Sequence, residues 1–184
     1  MSKLAADHNA INLSQGYPDF DGPAELLERV NYYFTHGFNQ YPPMTGVPAL
    51  REQIALKIER LYGRAVSAES EITVTSGATE ALFGAITAVI TPGDEAIVFD
   101  PAYDSYDPAV ALNGGKTIHI PLKAPEFGID WQRLQNSIND NTRLIMLNSP
   151  HNPTGSILTQ ADLDQLAEII SNRNICIISD EVYE

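Results

Sequence analysis

A chain of 184 residues with 43% hydrophobic content has room for one ordinary globular domain with a real core. Its formal net charge of −13 argues against nucleic acid as a partner, because such binding needs basic patches that displace counterions. No apolar stretch approaches the length of a membrane span, and Met1 to Asp7 lacks the apolar region of a signal peptide, so the chain reads as cytoplasmic and not membrane-bound.

Residues before about Asp21 read as irregular or extended. Pro23 then opens a helix with Leu26, Leu27, Val30 and Phe34 at helical spacing, closed by Gly37. A second helix runs from Pro48 to Gly63 with Leu50, Ile54, Ile58 and Leu61 on one face. Proline just inside the start and glycine just past the end is the asymmetry that helix termini favour.

From Glu71 the pattern changes to short β-rich runs: Ile72-Thr73-Val74-Thr75, Ala96-Ile97-Val98-Phe99, Thr117-Ile118-His119-Ile120, Leu144-Ile145-Met146-Leu147 and Ile175-Cys176-Ile177-Ile178. Helical stretches from Thr79 to Ile90, Ser105 to Leu112, Trp131 to Ile138 and Gln160 to Ser171 separate most of them, and Thr159-Gln160-Ala161-Asp162 reads as a capping box for the last. Strands apolar on both faces, alternating with helices, predict an α/β fold: a mostly parallel sheet with helices on both faces. Cys176, the single cysteine, falls inside a strand and reads as a buried structural thiol; one thiol permits no internal disulfide, which fits a reducing compartment. No metal-ligand cluster is expected.

In such sheets ligands gather outside the carboxyl ends of the strands. Four polar segments fall there: Gly77, Ala78 and Thr79 after the first run, Tyr103 after the second, Asn152 after the fourth, and Asp180 with Tyr183 after the fifth. Each has an ordinary structural reading. Thr75-Ser76-Gly77-Ala78-Thr79 is a strand-to-helix turn whose free N–H groups and hydroxyls suit a phosphate, though any capped turn looks similar. Glu80 reads as a first-turn helix acid. Tyr103 is either a ring laid on a flat ligand or a packed loop aromatic, and Asn152 sits between His151 and Pro153, where most such asparagines only start turns. His151 reads as turn scaffold. Asp180 is the strongest signal, since a carboxylate directly after four apolar strand residues needs a cation or donors. A protonated heteroaromatic nitrogen would suit it, with Tyr183 and Asn152 donating to an anionic ring oxygen. Phosphate, flat ring, ring nitrogen and ring oxygen together describe pyridoxal 5′-phosphate, whose chemistry needs its ring nitrogen kept protonated.

The motifs themselves resemble the class I/II aminotransferases of the fold-type-I pyridoxal-phosphate superfamily, most of all the branch that contains methionine aminotransferase and the kynurenine and glutamine transaminases. The resemblance rests on Leu13-Ser14-Gln15-Gly16-Tyr17-Pro18-Asp19-Phe20, Gln40-Tyr41-Pro42-Pro43-Met44-Thr45-Gly46, Ser76-Gly77-Ala78-Thr79-Glu80-Ala81-Leu82, Asn148-Ser149-Pro150-His151-Asn152-Pro153-Thr154-Gly155 and Ser179-Asp180-Glu181-Val182-Tyr183, in family order. It implies that Ala78 and Thr79, beside Gly77, bind the cofactor phosphate and that Tyr103 stacks on the ring. It implies that Asn152 and Tyr183 hold the ring oxygen and that Asp180 pairs with the ring nitrogen. Gly16 would lie at the substrate carboxylate, Tyr17 beside the substrate side chain, and Tyr41 would reach the phosphate of a neighbouring subunit in a homodimer.

The same resemblance places a Schiff-base lysine beyond Tyr183, and none of Lys3, Lys57, Lys116 and Lys123 has its context. The chain therefore reads as an N-terminal fragment of an enzyme that passes an amino group from an amino acid to a 2-oxo acid, with no catalytic lysine of its own and no turnover alone. Residues 1–22 would belong to the small domain and 23–184 to an incomplete large domain. The implied fold also sets two later strands between the runs at Ile72 and Ile175, so unpaired edges and poor solubility are expected of the isolated chain. A cysteine-sulfur β-lyase of the same fold and a non-catalytic remnant are the alternatives; a nicotinamide-binding domain is excluded because the first βα turn lacks G-x-G-x-x-G.

Overall fold

Four of the β-rich runs pair side by side in the computed structural model, which describes every residue except Gln15 and Tyr17. They are β1 (Glu95–Asp100), β2 (Lys116–Pro121), β3 (Thr142–Asn148) and β4 (Cys176–Asp180), in the order β2-β1-β3-β4, and every pairing is parallel. The α/β expectation is met. Parallel neighbours need crossovers, and the helices supply them: α5 (Tyr106–Leu112) between β1 and β2, α6 (Trp131–Ser137) between β2 and β3, and α7 (Gln160–Ile170) between β3 and β4.

Alternation along the strands divides the core into two layers, since successive side chains point to opposite faces. Ala96, Val98, Leu144 and Met146 pack with Leu82, Ile86, Tyr106 and Val110 of α4 (Gly77–Val89) and α5. Ile97, Phe99, Ile145 and Leu147 pack on the other face with Leu134 of α6 and Leu166 of α7. The predicted capping box forms: Thr159 Oγ accepts from the Asp162 amide at 3.2 Å while Asp162 Oδ2 accepts from the Thr159 amide at 2.8 Å. Glu80 lies in the first turn of α4 and accepts the Ser76 amide, as a first-turn acid should.

The structure separates into two units, Met1–Val47 and Pro48–Glu184. The first holds α1 (Ser2–Asp7), a helix where irregular chain was expected, and α2 (Ala24–Thr35), which Pro23 precedes and Gly37 follows at φ 87°. The second opens with α3 (Pro48–Tyr62) and contains the whole sheet.

Two expectations need correction. Ile72 to Thr75 is not a strand: the segment joins no ladder among the described residues, and β character without a pairing partner leaves only irregular chain, although Ile72 itself is buried. Cys176 is exposed rather than buried, because β4 pairs on one side only, with β3, among the described residues.

Candidate functional site

The strand order reverses direction between β1 and β3: the chain leaves β1 for β2 on one side, then crosses back to β3 on the other. A crevice opens at the carboxyl ends of two strands that diverge in this way. The loop after β1 delivers Tyr103 to it, the loop after β3 delivers Asn152, and β4 ends on Asp180 next to them. The N-terminus of α4 brings Ala78 and Thr79. These five residues and Tyr183 line one cavity of about 140 Å³, with Leu82, Asn148 and Val182 completing its wall.

Asp180 is 8% exposed, although carboxylates are seldom so deep without partners. Its Oδ2 accepts a 2.6 Å hydrogen bond from the Tyr106 hydroxyl, and among the described residues its Oδ1 accepts only a long 3.3 Å bond from the Val182 amide. Burial, and then the bond to Asp180, pushes the Tyr106 phenol far above its ordinary range, so it is a fixed donor. Oδ1 therefore keeps acceptor capacity for a cation or donor in the cavity.

Asn148, the last residue of β3, ties the rim together. Its amide nitrogen donates to the Asp180 carbonyl at 2.8 Å, and its oxygen accepts from the Asn152 backbone amide at 2.7 Å. The Asn152 side-chain amide and the Tyr183 hydroxyl make no hydrogen bond among the described residues, so both remain available to a ligand. Tyr103 is 38% exposed, and its ring meets that of Tyr106 edge-on at 5.8 Å.

Gly77 begins α4 at φ +81°, a backbone state that side chains with a Cβ rarely adopt, and so turns the chain sharply before the first helical amides. Those amides have no helical acceptor and point out of the helix end. His151 is buried in the loop after β3, where its Nδ1 lies 2.9 Å from Thr154 Oγ1 and burial alone lowers its pKa. That suits turn scaffold, and the residues lining the cavity do not include it. Gly16 and Tyr41 lie in the first unit, where both are exposed, Tyr41 completely. Tyr17 lies outside the described residues.

Sequence reasoning missed Tyr106 and the bridging role of Asn148. Tyr106 had a signal: a phenol on the apolar face of a short helix must find a partner for its hydroxyl when buried. Asn148 had less, since nothing in a strand-terminal asparagine says which loops its two ends will join.

The family model for class I and II aminotransferases matches residues 8–184. Methionine aminotransferase of Escherichia coli is 56% identical over 184 residues, which cover 100% of this chain and 48% of that protein. Kynurenine–oxoglutarate transaminase 3 of Homo sapiens is 37% identical over 100% of this chain and 43% of its own length. Among solved structures, that of N-succinyldiaminopimelate aminotransferase from Mycobacterium tuberculosis aligns with a TM-score of 0.94 at 41% identity, covering 99% of this chain and 48% of that one. The chain thus spans about half the length of the relatives it matches.

Proposed function

Because this chain belongs to the class I and II aminotransferase family, we propose that it carries the pyridoxal 5′-phosphate site of an enzyme that moves an amino group from an amino acid to a 2-oxo acid. The observation that carries the reading is the convergence of Ala78, Thr79, Tyr103, Asn152, Asp180 and Tyr183 on one cavity around a buried carboxylate. The residues fit the group. Asp180 Oδ1 suits a protonated ring nitrogen, the first turn of α4 with the Thr79 hydroxyl suits a phosphate, and the Tyr103 ring suits a flat face.

When bound, the cofactor supplies an electron sink for the charge that develops at the substrate α-carbon. The protein residues bind and orient it. Asp180 keeps a proton on the ring nitrogen, because a buried carboxylate with one oxygen open is stabilised by a facing cation. Gly77, Ala78 and Thr79 anchor the phosphate through α4. Asn152 and Tyr183 donate to the ring oxygen, and Asn148 holds Asn152 in register with Asp180.

In this reading Gly16 and Tyr17 contribute to the substrate side and Tyr41 to the phosphate of a neighbouring subunit in a cytoplasmic homodimer. By the resemblance, residues 1–22 belong to the small domain and 23–184 to part of the large one, whereas the structure itself divides between Val47 and Pro48. Lys57, Lys116 and Lys123 form ion pairs with Glu184, Glu95 and Asp130, and Lys3 pairs with Asp7; among the described residues no lysine lines the cavity. The 184-residue chain therefore holds the cofactor without a covalent bond and does not turn over by itself.

A fluorescence titration with pyridoxal phosphate tests this. Asp180→Ala should weaken binding by about tenfold or more, since a hydrogen bond to a charged group is worth roughly 1.5–3 kcal/mol. Thr79→Ala should weaken it less and should erase part of the preference for the phosphorylated form over pyridoxal. Equal binding by wild type and both variants would show that the cavity is not the cofactor site.

A further inference from the structure

Tyr106 opens α5 and is 4% exposed, packed among Leu82, Val98 and Val110. A phenylalanine would fill this space equally well, so packing does not explain the hydroxyl. The hydroxyl is spent on Asp180 Oδ2 at 2.6 Å. Asp180 ends a short strand that pairs on one side among the described residues, and its side chain has a single short partner. Where the carboxylate points is thus decided by where α5 places its first turn.

That turn is held in its own right. Asp107, next to Tyr106, has Oδ2 3.2 Å from Nε2 of His119 on β2. The other ring nitrogen, Nδ1, is 2.9 Å from Oδ1 of Asp100, the last residue of β1. One imidazole therefore bridges the end of β1 to the start of α5. A neutral imidazole has one N–H and can satisfy one of these carboxylates, leaving the other facing a lone pair. The imidazolium donates to both.

Resting on the cofactor reading above, we propose that Tyr106 is the positioning residue for Asp180 and that His119, by bridging Asp100 and Asp107, fixes the α5 turn that carries Tyr106. The charged groups against the ring are Asp100 from β1 and Asp107 from α5; on its own strand Lys116 is turned to Glu95 at 3.6 Å. The hydrogen bond to Asp100 raises the His119 pKa above its ordinary value of 6.5, with burial working against it and Asp107 adding to it. A group raised in this way contributes fully below its unfolded value and loses its contribution as pH rises through the folded value. The bridge is complete on the acid side of that window, and above it Asp180 loses one of its restraints.

The full chain is labelled with 13C at aspartate carboxyl carbons and titrated without cofactor between about pH 5 and 9, a range that spans ordinary histidine titration. In wild type the Asp180 carboxyl resonance should step at the pH where the His119 ring titrates. His119→Gln, which donates to one carboxylate and does not titrate, should abolish the step. Tyr106→Phe should abolish the step at Asp180 while His119 still titrates, and should weaken pyridoxal phosphate by about tenfold. A flat Asp180 resonance in wild type, or a step that survives Tyr106→Phe, overturns the proposal. So does unchanged affinity in Tyr106→Phe when Asp180→Asn loses binding. Unchanged binding in Asp180→Asn sinks the cofactor reading instead, and the Asp180 carboxyl resonance still decides the link from His119 to Asp180.

Discussion

In α2, Leu26, Leu27 and Phe34 are 58%, 56% and 64% exposed, whereas in β3 Leu144 and Ile145 are 0% exposed. Both segments carry their apolar residues at the spacing their secondary structure demands, and both form as that spacing predicts. The difference is the partner. β3 lies between β1 and β4 with helices over both faces, so its pattern becomes burial, while no residue of α2 is buried. Periodicity specifies a face; stabilisation comes only when something covers it.

The largest effect that can break this contrast is a matched pair of truncations. Ile145→Ala opens a hole among Ile97, Leu134 and Leu166 and should cost about 2–5 kcal/mol, the range for deleting a buried aliphatic side chain. Leu27→Ala removes a side chain already in water and should stay within about 0.5 kcal/mol. Urea unfolding followed by circular dichroism measures both. A Leu27→Ala cost equal to that of Ile145→Ala would mean that the α2 face is covered in solution.

Glycine gives a second, smaller contrast. A Cβ on Gly115 would sit 2.5 Å from Ile90 Cγ2 and 3.0 Å from Val110 Cγ1, whereas a Cβ on Gly22 would meet nothing within 4 Å. Gly115→Ala should therefore cost about 1–3 kcal/mol through overpacking. Gly22→Ala should be neutral or gain a few tenths of about 1 kcal/mol by stiffening the unfolded chain. Adding Ile90→Ala to Gly115→Ala should recover part of the overpacking term, and a double-mutant cycle that shows strict additivity would place the clash elsewhere.

The same division explains how much could be read beforehand. The four paired strands, the helices between them and the placement of Tyr103, Asn152 and Asp180 after strand ends were legible because alternation and order along the chain are local signals, whereas a ligand role for Tyr103 and Asn152 came from the resemblance. Ile72 to Thr75 was misread because β-branched residues report a preference, while a strand needs a neighbour to pair with. Cys176 was misread for the same cause, since burial depends on which side of the sheet continues. Tyr106 and Asn148 were missed because their roles are contacts between segments far apart in the chain, 74 residues for Tyr106 to Asp180 and 32 for Asn148 to Asp180. The roles of Gly16, Tyr17 and Tyr41 came from resemblance alone; as isolated residues they carry no chemistry that separates a site from a turn.

The smallest expected effect concerns helix ends. The N-terminus of α7 is closed by Thr159 and Asp162, whose side chains cap each other's amides, and α2 follows Pro23 with no side-chain cap. Removing the cap in Thr159→Ala should cost about 1 kcal/mol near neutral pH. It should also change the acid limb of stability. The Thr159 hydroxyl, 2.7 Å from Asp162 Oδ2, is the main reason the Asp162 pKa lies below its ordinary 3.8. A depressed carboxylate stabilises the fold above its unfolded pKa and loses that contribution as pH falls through the lower folded value. Wild type and Thr159→Ala should therefore converge as pH falls below the ordinary carboxylate range, because protonated Asp162 can no longer serve as the reciprocal acceptor. Pro23→Ala, which removes no cap, should leave the acid limb unchanged. Thermal melts of the three proteins between about pH 2 and 6 read the difference directly through that linkage. A constant gap between wild type and Thr159→Ala across that range would show that the cap acts through Thr159 alone and that the Asp162 carboxylate takes no part.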